Sequence, residues 1–226
     1  MSPDQAWLAA VWPFVRAQLP PAPARVLELG CGPLGGFVPA LQDGGYDAVG
    51  VDPQAPEGAG YQRVEFERYR PPRPVACVVA STSLHHVADL DAVLDRVTAA
   101  LVGGGRLVVV EWGWERFDEA TARWCFSRLA SPAPGAEPGW LHRHREQWAA
   151  SGQPWEAYCQ AWAIQEGLHP GREIVAALDA RLDRRLCVQG PYFFADLADT
   201  TEADEQAAID AGQIQATRIQ YVGTLT

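Results

Sequence analysis

Lysine is missing from this sequence altogether, and all 18 basic residues are arginine. That absence removes a Schiff-base lysine, a P-loop lysine and a kinase-type lysine from the mechanisms open to the chain. Cysteine is scarce and scattered: the five residues, at 31, 77, 125, 159 and 187, never form a C-x-x-C pair. Neither a disulfide framework nor a zinc cluster is indicated, and these cysteines read as small apolar packing residues. No metal site is expected. Also lacking is any apolar stretch near the roughly 20 residues of a membrane span, and any N-terminal basic region that leads into a hydrophobic one. The expectation is a soluble, cytoplasmic protein with no membrane partner. Positive charge is short as well. With 28 acidic residues against 18 basic ones, the net charge of −10 argues against binding along a phosphate backbone, so nucleic acid is not an expected partner.

What the chain does have is apolar mass. Its 226 residues, 48% of them hydrophobic, suffice for one large domain, or for a domain of about 150 residues carrying an insertion. No internal repeat or low-complexity tract is visible. The organising stretch is Arg25 to Phe37, RVLELGCGPLGGF. Its first five residues read as a buried strand, and a glycine-dense turn comes at once after them. Gly30, Gly32 and Gly35 let the main chain approach a ligand closely, and the apolar pattern that resumes after Gly35 predicts a helix whose free N–H groups face that ligand.

Two cofactors fit such a turn. The three glycines match G-x-G-x-x-G formally, and Asp52 ends the next apolar run, as a dinucleotide site requires. Glu28, however, is an awkward buried charge beside a diphosphate and a useful one near the ammonium of an amino acid. Pro33 also removes one N–H donor from a pyrophosphate cradle. Both departures favour S-adenosylmethionine over a nicotinamide dinucleotide.

Glu28-Leu29-Gly30-Cys31-Gly32 resembles the E/D-x-G-x-G signature of class I S-adenosylmethionine-dependent methyltransferases. Three further segments resemble that family in order and spacing: AVGVDP (Ala48 to Pro53), VVASTSLHHV (Val78 to Val87) and LVGGGRLVVVEW (Leu101 to Trp112). The resemblance covers residues 25 to 112. It implies an α/β fold: a Rossmann-like seven-stranded, mostly parallel sheet with an antiparallel last strand, helices on both faces, and a helical insertion between strands 5 and 6. The whole chain would form a single domain, with residues 113–184 as a Trp-rich insertion within it.

The element pattern agrees. Ser2 as N-cap, Pro3 in the first turn and Gln5 predict a first helix with an apolar stripe at Trp7, Leu8, Val11, Trp12 and Val15, kinked by Pro13. Strands are predicted over 46–51, 61–66, 74–80 and 106–112, with helices over 35–43 and from the Asp89 cap to Leu101, and a turn at Gly103-Gly104-Gly105. Residues 113–184 hold six of the nine tryptophans. Helices are predicted near 116–130, 144–151, 154–167 and 171–183, with a Pro/Gly-rich break at 131–139. A strand over 186–195 broken by a bulge at Gly190-Pro191, a helix over 201–211 and a closing strand over 213–222 complete the chain.

The resemblance implies roles for single residues. Gly30, Cys31 and Gly32 would receive the methionine portion of the donor, with Glu28 orienting that loop or the ammonium. Asp52, with Pro53 after it, would hold the two ribose hydroxyls, since a carboxylate accepts two hydrogen bonds at once. Phe66 and Glu67 are candidate adenine contacts, and Ser81 and Thr82 leave the fourth strand beside the cofactor. A proton acceptor is sought at His85 or His86, because histidine titrates near neutrality. Glu111, Trp112 and Trp114 are the candidate substrate contacts. His142 and His144, although spaced like a metal pair, read as solvated helix surface. The expected acceptor is a small molecule methylated at oxygen or nitrogen. Two rivals stay open: an NAD(P)-dependent oxidoreductase on the same turn, and a non-catalytic S-adenosylmethionine-binding regulator.

Overall fold

The chain begins as its capping residues predict. In the computed structural model, which describes residues 1–131 and 137–226, Gln5 N donates to Ser2 Oγ at 3.2 Å and Ser2 N to Gln5 Oε1 at 3.0 Å. This reciprocal pair starts α1 (Pro3–Gln18), which continues through Pro13. After it come β1 (Arg25–Leu29), α2 (Val38–Asp43), β2 (Asp47–Val51), β3 (Tyr61–Gln62), β4 (Val75–Ser81), α3 (Leu90–Ala100) and β5 (Leu101–Trp112). The chain continues with α4 (Glu119–Phe126), α5 (Trp140–Ser151), α6 (Trp155–Gln165), α7 (Gly171–Asp179), β6 (Asp183–Gly190), α8 (Glu202–Asp210) and β7 (Arg218–Thr224).

The strands form one sheet in the order β3-β2-β1-β4-β5-β7-β6, parallel except for β7, which runs antiparallel to both β5 and β6. Alternation along the central strands builds a layer on each face, because successive side chains point to opposite sides. Leu27, Val78, Leu107 and Val109 pack under α3 and α7, against Val93, Leu94, Val97, Ile174 and Leu178. Val26, Cys77, Val79, Val108 and Val110 pack under α1 and α2, against Val11, Val15, Val38 and Leu41. Burial on both faces is why these strands read as unbroken apolar runs. A further cluster lies beyond the C-terminal end of β5, where Trp112, Phe117, Cys125, Leu141, Trp155 and Phe193 join α4, α5 and α6 to the sheet.

Several elements depart from the sequence expectation. Strand β3 pairs only over Tyr61–Gln62, because Phe66 turns inward on a 3-10 segment (Phe66–Arg68) and packs in the core instead of extending the sheet edge. Gly103–Gly105 lie inside β5 and are held there by the C-terminus: Gly104 N donates to Leu225 O at 3.0 Å and Leu225 N to Gly105 O at 2.9 Å. Residues 192–195 are not strand. Their backbone N–H groups turn to a side chain, for the fully buried Glu205 carboxylate of α8 accepts from Tyr192 N and Phe194 N, each at 2.7 Å. The irregularity in β6 falls earlier, between Arg184 and Leu186, and β7 begins at Arg218 instead of 213. Residues 132–136 of the predicted break at 131–139 lie outside the described residues. No helix of the described residues is long and apolar enough to cross a membrane.

Candidate functional site

Strand β1 ends at Leu29, and Gly30 N donates to Val51 O at 2.8 Å, so the glycine turn leaves the sheet between the tips of β1 and β2. Gly36 adopts φ +56°, and a Cβ there would fall 2.6 Å from Cδ of Glu28. The turn is thus wrapped tightly around that carboxyl. Glu28 is 1% exposed, and its oxygens accept the Phe37 N–H at 3.0 and 2.8 Å. Of the two tasks implied for it, orienting the loop is the one its contacts perform. Burial pushes its pKa up to about 8, against the lowering effect of the Phe37 and Val38 N–H groups. A folded-state value above the unfolded one penalises the carboxylate, so stability falls as pH rises from the ordinary carboxylate range to about 8 and then levels off. Glu28→Gln, which mimics the neutral carboxyl, is expected to flatten that decline and to melt above the parent at pH 9. Thermal unfolding monitored from pH 5 to 9 checks this, and parallel curves for the two proteins would refute it.

Asp52, at the tip of β2, reaches back to the same turn: its Oδ2 accepts from Gly32 N at 3.1 Å and its Oδ1 from Gln54 N at 2.6 Å. Pro53 comes next, exposed. A cavity of about 150 Å³ beside the turn is lined by Glu28, Gly30, Cys31, Gly32, Ser81 and Thr82, and by Asp4, Trp7 and Leu8 of α1. The methyl donor's amino-acid end suits these walls. The backbone over Gly32 is open, since a Cβ there would meet no atom within 4 Å. Ser81 Oγ and the Trp7 indole N–H are buried with no partner among the described residues, so polar atoms stand ready for a ligand.

The segment leaving β4 is strained and heavily tied. Thr82, a β-branched residue, takes φ +47°, a conformation that side chains of its kind rarely adopt. The carboxylate of Glu111 holds the next three residues. Its Oε2 accepts from Ser83 N at 3.2 Å and Leu84 N at 2.8 Å, while its Oε1 accepts from Trp112 N at 2.8 Å and bonds His85 Nδ1. Burial alone would raise the Glu111 pKa, but the charge and hydrogen bond of His85 and the N–H groups of Trp112 and Leu84 outweigh it, and the carboxyl sits below its ordinary value. His85 and His86 lie side by side, ring centroids 4.0 Å apart, and burial first, then His85, lowers the His86 pKa to about 4.

Both histidines line a chamber of about 880 Å³ beneath the insertion, walled by Trp112, Trp140, Tyr158, Trp162 and Tyr192. A smaller space of about 130 Å³, bordered by Asp4, Trp7, Thr82, Trp140 and Tyr192, lies between it and the glycine-turn cavity. Thr82 borders all three.

Several sequence expectations need correction. Glu111, expected to meet substrate, is fully buried, and its oxygens are spent on four protein donors. Trp114 is partly buried against the insertion cluster, whereas Trp112 lines the chamber. Phe66, a candidate adenine contact, packs largely in the core and borders a separate cavity with Tyr69 and Pro71, and Glu67 sits beside it on the same 3-10 segment. His144 is no solvated surface residue: it is 7% exposed and lines the chamber, while His142 Nε2 bonds Ala130 O at 2.8 Å. Among the described residues no group of histidines, cysteines and acids is placed to hold a metal. Sequence reasoning missed Asp4 and Trp7 at the cavity beside the glycine turn and His144, Tyr158 and Tyr192 at the chamber. The signal for His144 was present, since Leu141, His144 and Trp148 share one helical face.

Known proteins share this fold. A family model described as a methyltransferase domain matches residues 6–159. No curated protein matches the chain. Among solved structures, an S-adenosylmethionine-dependent methyltransferase from Mesorhizobium loti is 19% identical with a TM-score of 0.56, covering 95% of this chain and 97% of that one. The N-methyltransferase NodS from Bradyrhizobium japonicum WM9, bound to S-adenosyl-L-homocysteine, is 14% identical with a TM-score of 0.54 over 96% of this chain and 86% of its own. Geranyl diphosphate C-methyltransferase from Streptomyces coelicolor A3(2) is 16% identical with a TM-score of 0.52 over 96% and 79%. At these identities the solved structures establish the shared fold. The family match covers more than half of the chain, and this protein belongs to the methyltransferase-domain family.

Proposed function

We propose that the chain transfers the methyl group of S-adenosylmethionine to an oxygen or nitrogen of a small molecule held in the aromatic chamber. The observation that carries this reading is the run of cavities meeting at Thr82, which joins a cleft suited to the donor's amino-acid end to a larger space beside the same residue. A non-catalytic binder of the donor would need no such second space.

When bound, the donor supplies an electrophilic methyl on a positively charged sulfur. The protein's task is then to align the partners, exclude water and accept a proton. Gly30, Cys31 and Gly32 hold the methionine end, Asp52 the ribose, and Ser81 and Thr82 the boundary between the two ligands. His85 is the proton acceptor. Glu111 can only accept a hydrogen bond, so Nδ1 of His85 carries the hydrogen, and in the neutral ring Nε2 presents a lone pair. Glu111 then stabilises the imidazolium that forms. His86 and Trp112 shape the wall beside it.

Tryptophan fluorescence titrated with S-adenosylhomocysteine and with NADH tests the donor, and mass spectrometry of reactions with a panel of phenols and amines tests the acceptor. Binding of S-adenosylhomocysteine without NADH, and a mass gain of one methyl on a panel member, is the expected result. Donor binding with no methylated product from any panel member would sink the small-molecule assignment.

A further inference from the structure

The chamber is uncharged inside, and this narrows what it holds. The charged side chains that line it, Arg143 and Glu166, are both exposed, and Glu111 is spent on its protein donors. A buried carboxylate, phosphate or ammonium would find no desolvated counter-charge there. His86 and Trp112, whose indole N–H has no partner among the described residues, also line it, and two histidines on separate elements supply acceptors whose direction their other bonds fix. His85, after β4, has Nδ1 bound to Glu111. His144, on α5, has Nδ1 2.8 Å from the Tyr158 hydroxyl, which itself donates to Gln147 Oε1 at 3.0 Å. The single Tyr158 proton is therefore used, the His144 bond must run from Nδ1–H, and Nε2 of the neutral ring is an acceptor. Neither Nε2 has a partner among the described residues, although both rings line the chamber.

Indoles lock both rings in place. The His144 ring stands edge-on to Trp162 at 4.4 Å and 89° and to Trp140 at 5.6 Å and 88°. His85 is edge-on to Trp112 at 6.1 Å and 83°, and Trp112 lies 5.9 Å from Trp162. Two lone pairs are thus joined by a wall of indole against which a flat ring packs well. Resting on the proposed methyl transfer, we propose that the acceptor is a neutral, planar aromatic molecule with two hydrogen-bond donors, one a hydroxyl methylated beside His85 and the other held by His144. In the reaction the hydroxyl oxygen bonds to the methyl carbon and its proton passes to His85 Nε2. The carbon–sulfur bond breaks with its electron pair going to sulfur. The products are a methyl ether and S-adenosylhomocysteine, and the proton then leaves the imidazolium for water.

The test uses the full chain saturated with S-adenosylhomocysteine, whose own binding is measured first. Calorimetry then compares 2,7-dihydroxynaphthalene with its dimethoxy analogue, naphthalene-2-sulfonate and a naphthylmethyl trimethylammonium ion. The diol is expected to bind on the order of tenfold or more tighter than each of the others, roughly what one or two buried hydrogen bonds supply. His144→Phe should erase about tenfold of that preference at unchanged S-adenosylhomocysteine affinity, and His144→Gln, which keeps an acceptor, should restore part of it. If His144→Phe fails to fold, the four-probe comparison on the parent chain decides alone. Preference for the dimethoxy compound, the anion or the cation, or binding of none of the four, overturns the proposal while leaving donor binding intact. Failure of S-adenosylhomocysteine itself to bind overturns the underlying methyl transfer, and the proposal with it.

Discussion

Asp52→Ala is expected to weaken S-adenosylhomocysteine binding by about two orders of magnitude while the chain stays folded. In the parent, one carboxylate oxygen takes the Gly32 N–H at 3.1 Å and the other the Gln54 N–H at 2.6 Å, which fixes the group at the mouth of the glycine turn. Each oxygen retains a second lone pair, and the two together match a ribose diol. Hydrogen bonds to a charged group contribute about 1.5–3 kcal/mol each, so losing a pair reaches that hundredfold even with incomplete additivity. Asp52→Asn keeps an acceptor for Gly32 and should lose about tenfold. Calorimetry on both variants decides the matter, and an alanine variant that binds as the parent does would remove Asp52 from the site.

The second large effect is at Glu111. Glu111→Leu leaves the Ser83, Leu84 and Trp112 N–H groups without their acceptor and His85 without its partner, and breaking a buried pair of this kind costs about 3–5 kcal/mol. Glu111→Gln preserves shape but presents an amide N–H₂ to groups that are themselves donors, so the His85 ring loses its fixed tautomer. With 2,7-dihydroxynaphthalene as acceptor, kcat should fall by about 10²- to 10⁴-fold, with S-adenosylhomocysteine affinity little changed. A purely structural role for Glu111 would instead move stability and leave kcat per folded molecule alone. The pH dependence has a definite sign. Because the folded-state pKa of Glu111 lies below its unfolded value, its contribution is full above the ordinary carboxylate range and is lost as pH falls through the depressed value. Acid unfolding of the leucine variant should therefore lack that component, as denaturant titrations at pH 7 and at pH 3 would read out.

Much of this was legible in the sequence where a pattern has one physical meaning. The Ser2 capping box, the Asp89 cap and the apolar runs of β1, β4 and β5 each fix a local geometry whatever surrounds them. The glycine turn with Asp52 about twenty residues on was readable for the same reason, because close backbone approach needs glycine. Legibility failed where distant residues decide the outcome. Nothing near Tyr192 announces that Glu205 will accept its N–H and stop a strand, and nothing near Phe66 says that the core will take it from the sheet edge. Glu111 reads as a side chain free to meet substrate because its donors lie 26 to 28 residues earlier as well as next door. His144 is hidden for a related reason: its charged neighbours Arg143 and Arg145 mask a face that only the fold turns inward.

Thr82 carries a consequence for how the two ligands feel one another. It borders the proposed donor cleft, the passage and the proposed acceptor chamber, in a backbone conformation with little freedom to yield. Filling either side therefore acts on a wall that the other side shares, and thermodynamic reciprocity requires the effect to be mutual. Donor affinity and acceptor affinity are then a single linked property of this protein, and an acceptor that tightens the hold on spent donor must itself be bound more tightly, by the same factor, while that donor is present.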